Sequence, residues 1–392
     1  MTRFHYAVCQ ILKYKNSCIL NEIYRLIINR ILLKIDINIP IVGNEEITAV
    51  TSVLKNGTLT SSAYLGGKYV QSFEKTVASF VKSKYAIAVN SGTAALQAAL
   101  YTLNIKKDDE VLIPSFTFVA TANAIVSTGA KPVFVDISKE NYTIDPDDLQ
   151  KKITKKTRAI IPVHLYGNIA NVKQLSEISK KHNIPIIEDS AQSLGSTYQG
   201  KHTGTFFEMG CYSMYPAKVM TSGEGGFIVT NNKRFRDKLL MVRNHGMSHG
   251  YDSRIFGLNL RLPEINAAIA TIQMKKLPNF LKARKKNAEF LSKLISDLKI
   301  ILPYQRENEN INWYLYTIAT AKRNKLLKKL NEKGIGAAAY YSIPIHKTPF
   351  YKLKIKLPVT DWAASNVISI PIHPKVTQKN IEFIAKTMRD VL

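Results

Sequence analysis

The chain has 392 residues, of which 45% are hydrophobic and 21% charged, and its 55 Lys and Arg against 29 Asp and Glu give a formal net charge of +26. That length can bury a large core shared by two or three domains, and the apolar content excludes a disordered polyelectrolyte or a low-complexity scaffold. Cys9, Cys18 and Cys211 are too few and too scattered for a disulfide framework, and no Cys/His cluster has metal-like spacing, so no metal is expected.

A basic excess of this size suggests nucleic acid, anionic lipid or a phosphorylated small molecule. Its distribution is uneven: residues 1–38 hold 6 basic and 2 acidic residues, residues 39–230 hold 19 and 16, and residues 231–392 hold 30 and 11. In the last part the lysines recur along amphipathic stretches such as Lys322 to Lys333. That pattern fits the solvated backs of helices better than a nucleic-acid groove.

Residues 1–38 mix basic and apolar residues without the compact apolar segment or small-residue cleavage site of a secretory signal, and a cytoplasmic setting is expected. Ile19, Ile23, Leu26, Ile27 and Ile31 fall near helical spacing and predict an amphipathic helix. It could dock on the body, lie on a membrane or reflect an upstream start, and the role of this extension stays unassigned. The longest charge-free run, Val111 to Ala130, is interrupted by Pro114, Ser115, Thr117, Thr121, Asn123, Ser127 and Thr128. It reads as a buried strand, a turn and a packed helix, so no membrane span is expected.

From residue 80 to 230 the apolar runs Ala86–Val89, Val111–Ile113, Val133–Val135, Ala159–Val163, Pro185–Ile187 and Phe227–Val229 alternate with helical patterns such as Ala94–Leu103 and Val172–His182. The alternation predicts an α/β fold with a mostly parallel central sheet flanked by helices. Beyond about residue 285 Lys-rich amphipathic helices and a few strand-like runs predict a smaller C-terminal α+β domain. The expected organisation is an N-terminal extension over 1–38, a large domain over 39–285 and a small domain over 286–392.

In such a sheet ligands bind beyond the carboxyl ends of the strands, which makes the loops after the strands informative. Asn90-Ser91-Gly92-Thr93-Ala94-Ala95-Leu96 is a strand end, a Gly turn and a helix start. Its N–H groups can cradle a phosphate, or the turn can be a simple helix cap. Ile186-Ile187-Glu188-Asp189-Ser190-Ala191-Gln192 ends an apolar strand in two acids. A carboxylate there can hold a protonated ring nitrogen, or can cap a helix. In Cys211 to Gly226, Lys218 lies between an apolar strand and a Gly-rich turn. A desolvated amine there becomes a nucleophile for Schiff-base formation, and the plainer reading is a surface charge. The loop Phe256 to Ala268 carries Asn259 and Arg261 into an Ala-rich helix, whose plainer role is a subunit contact.

Phosphate cradle, aromatic loop, Asp-Gln strand end, Ser and Lys, then Asn/Arg loop, in that order, are the parts a pyridoxal phosphate site needs. From about Ile39 to the C-terminus the sequence resembles the DegT/DnrJ/StrS family of sugar aminotransferases, on these blocks and on Pro114-Ser115-Phe116-Thr117-Phe118-Val119-Ala120-Thr121, Val163-His164-Leu165-Tyr166-Gly167 and Arg243-Asn244-His245-Gly246. The resemblance implies a type I aminotransferase fold, pyridoxal 5'-phosphate as cofactor and a homodimer with shared active sites. It places Lys218 as the catalytic lysine, Asp189 at the pyridine nitrogen, Gln192 near the ring hydroxyl and Phe118 on the ring face. Gly92, Thr93, Ala94 and Ser213 would hold the phosphate, joined by Asn259 from the other subunit. His164 and His346 would line the substrate cleft.

The implied reaction moves an amino group from an amino acid, foremost L-glutamate, to a nucleotide-linked keto-deoxysugar. The turn Thr221-Ser222-Gly223-Glu224-Gly225-Gly226 resembles members acting on 4-keto sugars more than on 3-keto ones. Family members that dehydrate carry His where Lys218 stands, which argues against dehydration. A non-catalytic regulatory or nucleic-acid-binding protein on the same fold is the alternative. Keeping Lys218, Asp189, Ser213 and Asn259 together argues against it, and nucleic acid is not an expected partner.

Overall fold

The apolar runs of the first half form one sheet. The computed structural model describes residues 34–392, so the Ile19–Ile31 pattern, Cys9 and Cys18 lie outside the described residues. After α1 (Asn44–Asn56) and α2 (Lys68–Val81) come β1 (Tyr85–Val89), α3 (Gly92–Thr102), β2 (Glu110–Pro114), α4 (Ala120–Val126), β3 (Lys131–Val135) and β4 (Thr157–Ile160). Next are α5 (Val172–His182), β5 (Ile187–Asp189), β6 (Met209–Ser213), β7 (Gly226–Thr230), α6 (Lys233–Arg243) and α7 (Glu264–Leu294). The chain ends with β8 (Tyr316–Ala319), α8 (Arg323–Glu332), β9 (Val367–Ile370) and α9 (Gln378–Arg389).

The strand order is β3–β2–β4–β5–β6–β7–β1. Two hydrogen-bonded ladders, β3–β2–β4 and β5–β6–β7–β1, are joined by parallel bridges Ile160↔Ile186 and Val163↔Asp189. Pairs β2–β3, β2–β4 and β5–β6 are parallel, whereas β7 runs antiparallel to both β6 and β1. The expected mostly parallel sheet is therefore present, with β7 reversed. The α5 helix spans the residues its periodicity predicts, while the Pro185–Ile187 run joins the sheet first by the bridge of Ile186 to Ile160 and then by the regular ladder from Ile187.

The period of two distributes each strand over two cores. Ala86, Ala88, Phe227, Val229 and Tyr212 face α2 and the first half of α7, where Val70, Phe73, Val77, Ala267, Ala270 and Met274 pack. Ile87, Val89, Ile228, Cys211 and Met209 face α3, α4 and α6. Burying one such large aliphatic or aromatic side chain is worth about 1.5–3 kcal/mol. Because both faces are covered, the strands read as unbroken apolar runs and not as alternating ones.

The antiparallel pair β8–β9, in register Ile318↔Ile368, packs with α8, α9 and the second half of α7 around Leu291, Leu326, Leu330, Ile381 and Ile384. Helix α7 thus serves both cores, and the boundary expected at 285/286 falls inside it. Helix α8 buries Arg323, Leu326 and Leu330 and turns Lys322, Lys325 and Lys328 to solvent, the arrangement its spacing predicts. Among the described residues no helix is long and apolar enough to cross a membrane.

Candidate active site

Three strands deliver the site at their carboxyl ends. β1 runs through Asn90 into α3, β5 ends at Asp189, and β6 ends at Ser213. A cavity of about 800 Å³ opens above them, lined by Ser91, Gly92, Thr93, Phe118, Thr121, Asp189, Gln192, Ser213, Lys218, Tyr314, Tyr340 and Tyr341, among others. The sheet thus gathers Gly92, Thr93, Phe118, Asp189, Gln192, Ser213 and Lys218, far apart in sequence, around one cavity.

Ser91 caps α3 by accepting a hydrogen bond from the Ala94 N–H at 3.0 Å. The first N–H groups of the helix, on Gly92 and Thr93, have no partners within the helix and so face the cavity with the positive end of the helix dipole. Gly92 is required by close approach: a Cβ there would lie 2.8 Å from the Ser213 Cβ. Ala94, by contrast, is buried and does not line the cavity, and its N–H is committed to Ser91.

Asp189 is buried, and desolvation raises its pKa, opposed by hydrogen bonds from Thr121 Oγ1 at 2.9 Å and Ala191 N at 3.2 Å and by the nearby Lys218 charge. Those two donors fix both carboxylate oxygens. Lys218 experiences the converse: burial brings its ammonium down to about 8, although Asp189 favours the charged form. Its Nζ lies 4.9 Å from the centre of the Tyr314 ring. At pH 7 roughly one such lysine in ten is already neutral and nucleophilic.

Gln192 Oε1 accepts from the Tyr166 N–H at 2.8 Å, and its amide donates to the Tyr341 hydroxyl at 2.9 Å. Tyr341 in turn stacks on Tyr166, with ring centres 6.1 Å apart and planes 19° apart. Phe118 is 60% exposed at the cavity mouth. Asn259 is exposed and does not line this cavity; its carbonyl accepts from Asn90 Nδ2 at 3.2 Å, which seats it beside the α3 turn.

The two histidines expected at the substrate cleft do not line this cavity. His164 is fully buried, with Nδ1 accepting from the Ala170 N–H at 3.1 Å and Nε2 paired with Glu188 Oε2 at 3.0 Å. Since Ala170 donates to Nδ1, the ring proton sits on Nε2 and is donated to Glu188. Glu188 also accepts from the N–H groups of Gly204, Phe206 and Phe207, so the pair ties β5 to the segment before β6. His346 is also fully buried, with Ser115 Oγ 2.7 Å from its Nδ1, and burial lowers its pKa. Neither imidazole reaches the cavity, because each is consumed by packing between loops behind it.

The sequence reading did not single out Thr121, Tyr314, Tyr340 or Tyr341 as site residues. Tyr340 and Tyr341 form a tandem aromatic pair without strand or helix periodicity, and Tyr341 has a positive φ of 60°. An irregular aromatic pair in a loop was the available signal.

The residues present suit pyridoxal phosphate. A dipole-bearing helix start with Gly at the approach point matches a phosphate, a buried carboxylate matches a cationic ring nitrogen, and a desolvated lysine matches a carbonyl carbon. A pleiotropic regulatory protein of Geobacillus stearothermophilus is 34% identical over 341 residues, covering 85% of this chain and 91% of that protein. The UDP-2-acetamido-2-deoxy-3-oxo-D-glucuronate aminotransferase of Pseudomonas aeruginosa is 36% identical over 342 residues, covering 86% and 94%. The crystal structure of S. venezuelae DesV superposes with a TM-score of 0.85 at 33% identity, over 88% of this chain and 94% of that one. The family model for DegT/DnrJ/EryC1/StrS aminotransferases matches residues 40–389, and together with the type I fold this establishes that the chain belongs to that family of pyridoxal-phosphate-dependent aminotransferases.

Proposed function

We propose that this enzyme transfers an amino group from an amino acid, L-glutamate foremost, to a nucleotide-linked keto-deoxysugar used in polysaccharide biosynthesis. It would act in the cytoplasm as a homodimer with shared active sites. The observation that carries the reading is the buried Lys218 amine, brought down to about 8 and set in one cavity with the buried Asp189. A binding protein has no use for a desolvated lysine beside a desolvated carboxylate, whereas transamination needs both.

When bound, pyridoxal phosphate supplies the carbonyl that captures amines and the ring that accepts carbanion charge. The geometry supports the following part for the protein. The Gly92 and Thr93 N–H groups and the Ser213 hydroxyl bind the phosphate. Asp189, its two oxygens fixed by Thr121 and Ala191, holds a proton on the ring nitrogen by charge-assisted hydrogen bonding. Lys218 Nζ would take the proton from the donor's α-carbon and hold it for delivery to the acceptor carbon on the far side of the nitrogen, a role that favours a pKa near the working pH. Phe118 would cover one ring face, and Tyr314, Tyr340 and Tyr341, which line the same cavity, would wall off water.

Two keto positions have specific support. The Thr221–Gly226 turn favours a 4-keto sugar, whereas the name of the P. aeruginosa relative states a 3-oxo substrate. The test is visible absorbance of the purified holoenzyme with L-glutamate, followed by nucleotide-linked 4-keto and 3-keto sugars offered in parallel. An amino product from one sugar fixes the position. A cofactor band that is absent, or unmoved by glutamate and alanine, sinks the transamination reading. The regulatory activity named for the G. stearothermophilus relative calls for a separate assay, in which duplex DNA binding that falls steeply with salt would favour the alternative.

A further inference from the structure

Arg284, in the middle of α7, is 3% exposed, and among the described residues no carboxylate lies within ion-pair distance of it. Burial without a counter-ion is expensive, and its guanidinium is brought down to about 10 by desolvation. Its hydrogen bonds run to two segments that flank Lys218. Nη2 donates to Asn38 Oδ1 at 2.6 Å, and Asn38 Nδ2 donates to the Ala217 carbonyl at 3.0 Å and, more weakly, to that of Pro216 at 3.4 Å. Nη1 donates to the carbonyls of Tyr314 at 3.1 Å and Trp313 at 3.3 Å.

One planar cation therefore fixes the backbone immediately before Lys218 and the backbone of the tyrosine whose ring lies 4.9 Å from the Lys218 amine. Carbonyl oxygens accept but do not donate, and the guanidinium fork offers several donors in one plane, so a single side chain can hold both segments. We infer that Arg284 and Asn38 are positioning residues that hold Lys218 Nζ at the reacting carbon by clamping the Pro216–Ala217 peptide and the Tyr314 ring on either side of it. This deepens the functional reading above and rests on its assignment of Lys218. The clamp also gives residue 38, at the edge of the N-terminal extension, a task in the site that sequence periodicity did not suggest.

The test separates positioning of the amine from integrity of the pocket. Wild type, Asn38→Ala, Arg284→Gln and Arg284→Lys are stripped of cofactor, and each is mixed either with pyridoxal phosphate or with pyridoxamine phosphate. Pyridoxamine phosphate fits the same pocket but has no carbonyl for Lys218 to bond. Covalent capture is read by borohydride trapping and mass mapping of Lys218. Capture in Asn38→Ala and Arg284→Gln should slow about tenfold or more, as ångström-scale misplacement of a reacting group does, while pyridoxamine phosphate affinity stays within about twofold of wild type. Arg284→Lys, which keeps charge but not the fork, should recover only part of the rate. Equal loss of both ligands would make the clamp merely structural and overturn the inference, as would unchanged capture in Asn38→Ala, the variant that removes no buried charge. Wild-type labelling at a lysine other than Lys218 would instead overturn the functional reading, and the inference with it.

Discussion

The Thr121 hydroxyl donates a 2.9 Å hydrogen bond to Oδ2 of Asp189, a carboxylate otherwise stripped of solvent. Desolvation raises the Asp189 pKa and this bond opposes the rise, so the two residues jointly set the pH at which the carboxylate becomes charged. Thr121→Val keeps the shape and removes the donor. Asp189 should then protonate at higher pH, moving the acidic limb of the kcat/KM profile upward. At neutral pH, kcat/KM should fall by roughly tenfold, the worth of one hydrogen bond to a charged group. An unmoved acidic limb would show that Asp189 does not control it.

Lys218→Ala should lower the rate of amino transfer by roughly 10²–10⁴, as expected for loss of a positioned general base, read as slowed conversion of the cofactor band by the amino donor. Free amines such as methylamine should restore part of the rate. Full turnover by the variant would remove Lys218 from the mechanism.

Lys218 also bears on stability. Its pKa in the folded chain is about 8, below the ordinary lysine value of 10.5, so folding must strip a proton or bury a charge wherever the unfolded chain is protonated. The cost is fully present below pH 8 and vanishes as pH rises through 10.5. In the cofactor-free protein Lys218→Met should therefore gain stability at pH 7 by about 3 kcal/mol, shrinking towards zero near pH 10.5. Denaturant titration at the two pH values checks both the sign and the trend.

His164→Ala should act on stability before it acts on substrate. It leaves the buried Glu188 carboxylate without its imidazole partner and the Ala170 N–H without an acceptor. Losing one hydrogen bond to a charged group and leaving a buried N–H without an acceptor costs about 1–3 kcal/mol for each. A lower midpoint of thermal unfolding is expected, with the KM for sugar near wild type in whatever enzyme remains folded. A selective rise in KM with unchanged stability would return His164 to the substrate cleft.

Gly92→Ala tests the phosphate cradle, because the added Cβ would sit 2.8 Å from the Ser213 Cβ and 3.3 Å from its Cα. The α3 turn must move away from β6, and pyridoxal phosphate affinity should fall by about tenfold, the equivalent of about 1.4 kcal/mol. If Gly92→Ala binds as wild type does, the phosphate lies elsewhere.

The sequence by itself determined the sheet, because strands buried on both faces must be apolar throughout and the helices between them must carry a 3.6-residue stripe. It also marked the candidates for chemistry: Lys218, Asp189, Gln192, Gly92 and Ser213 stand beside breaks in that pattern, and all five line one cavity. Only the tertiary structure decided what depends on segments distant in sequence. The reversal of β7 is set by pairing with β1 and β6, which no local propensity encodes. His164 and His346 sit in motifs that look reactive, yet each is drawn inside by a partner, Glu188 or Ser115, that only packing brings near. Tyr314, Tyr340 and Tyr341 reach the cavity because the C-terminal segments fold back over it, and Asn38 and Arg284, 246 positions apart, meet behind Lys218. The charge of +26 divides in the same way: composition gave its size, and the outward lysines of α8 show one place where it rests, on a helix back that leaves its apolar stripe to the core.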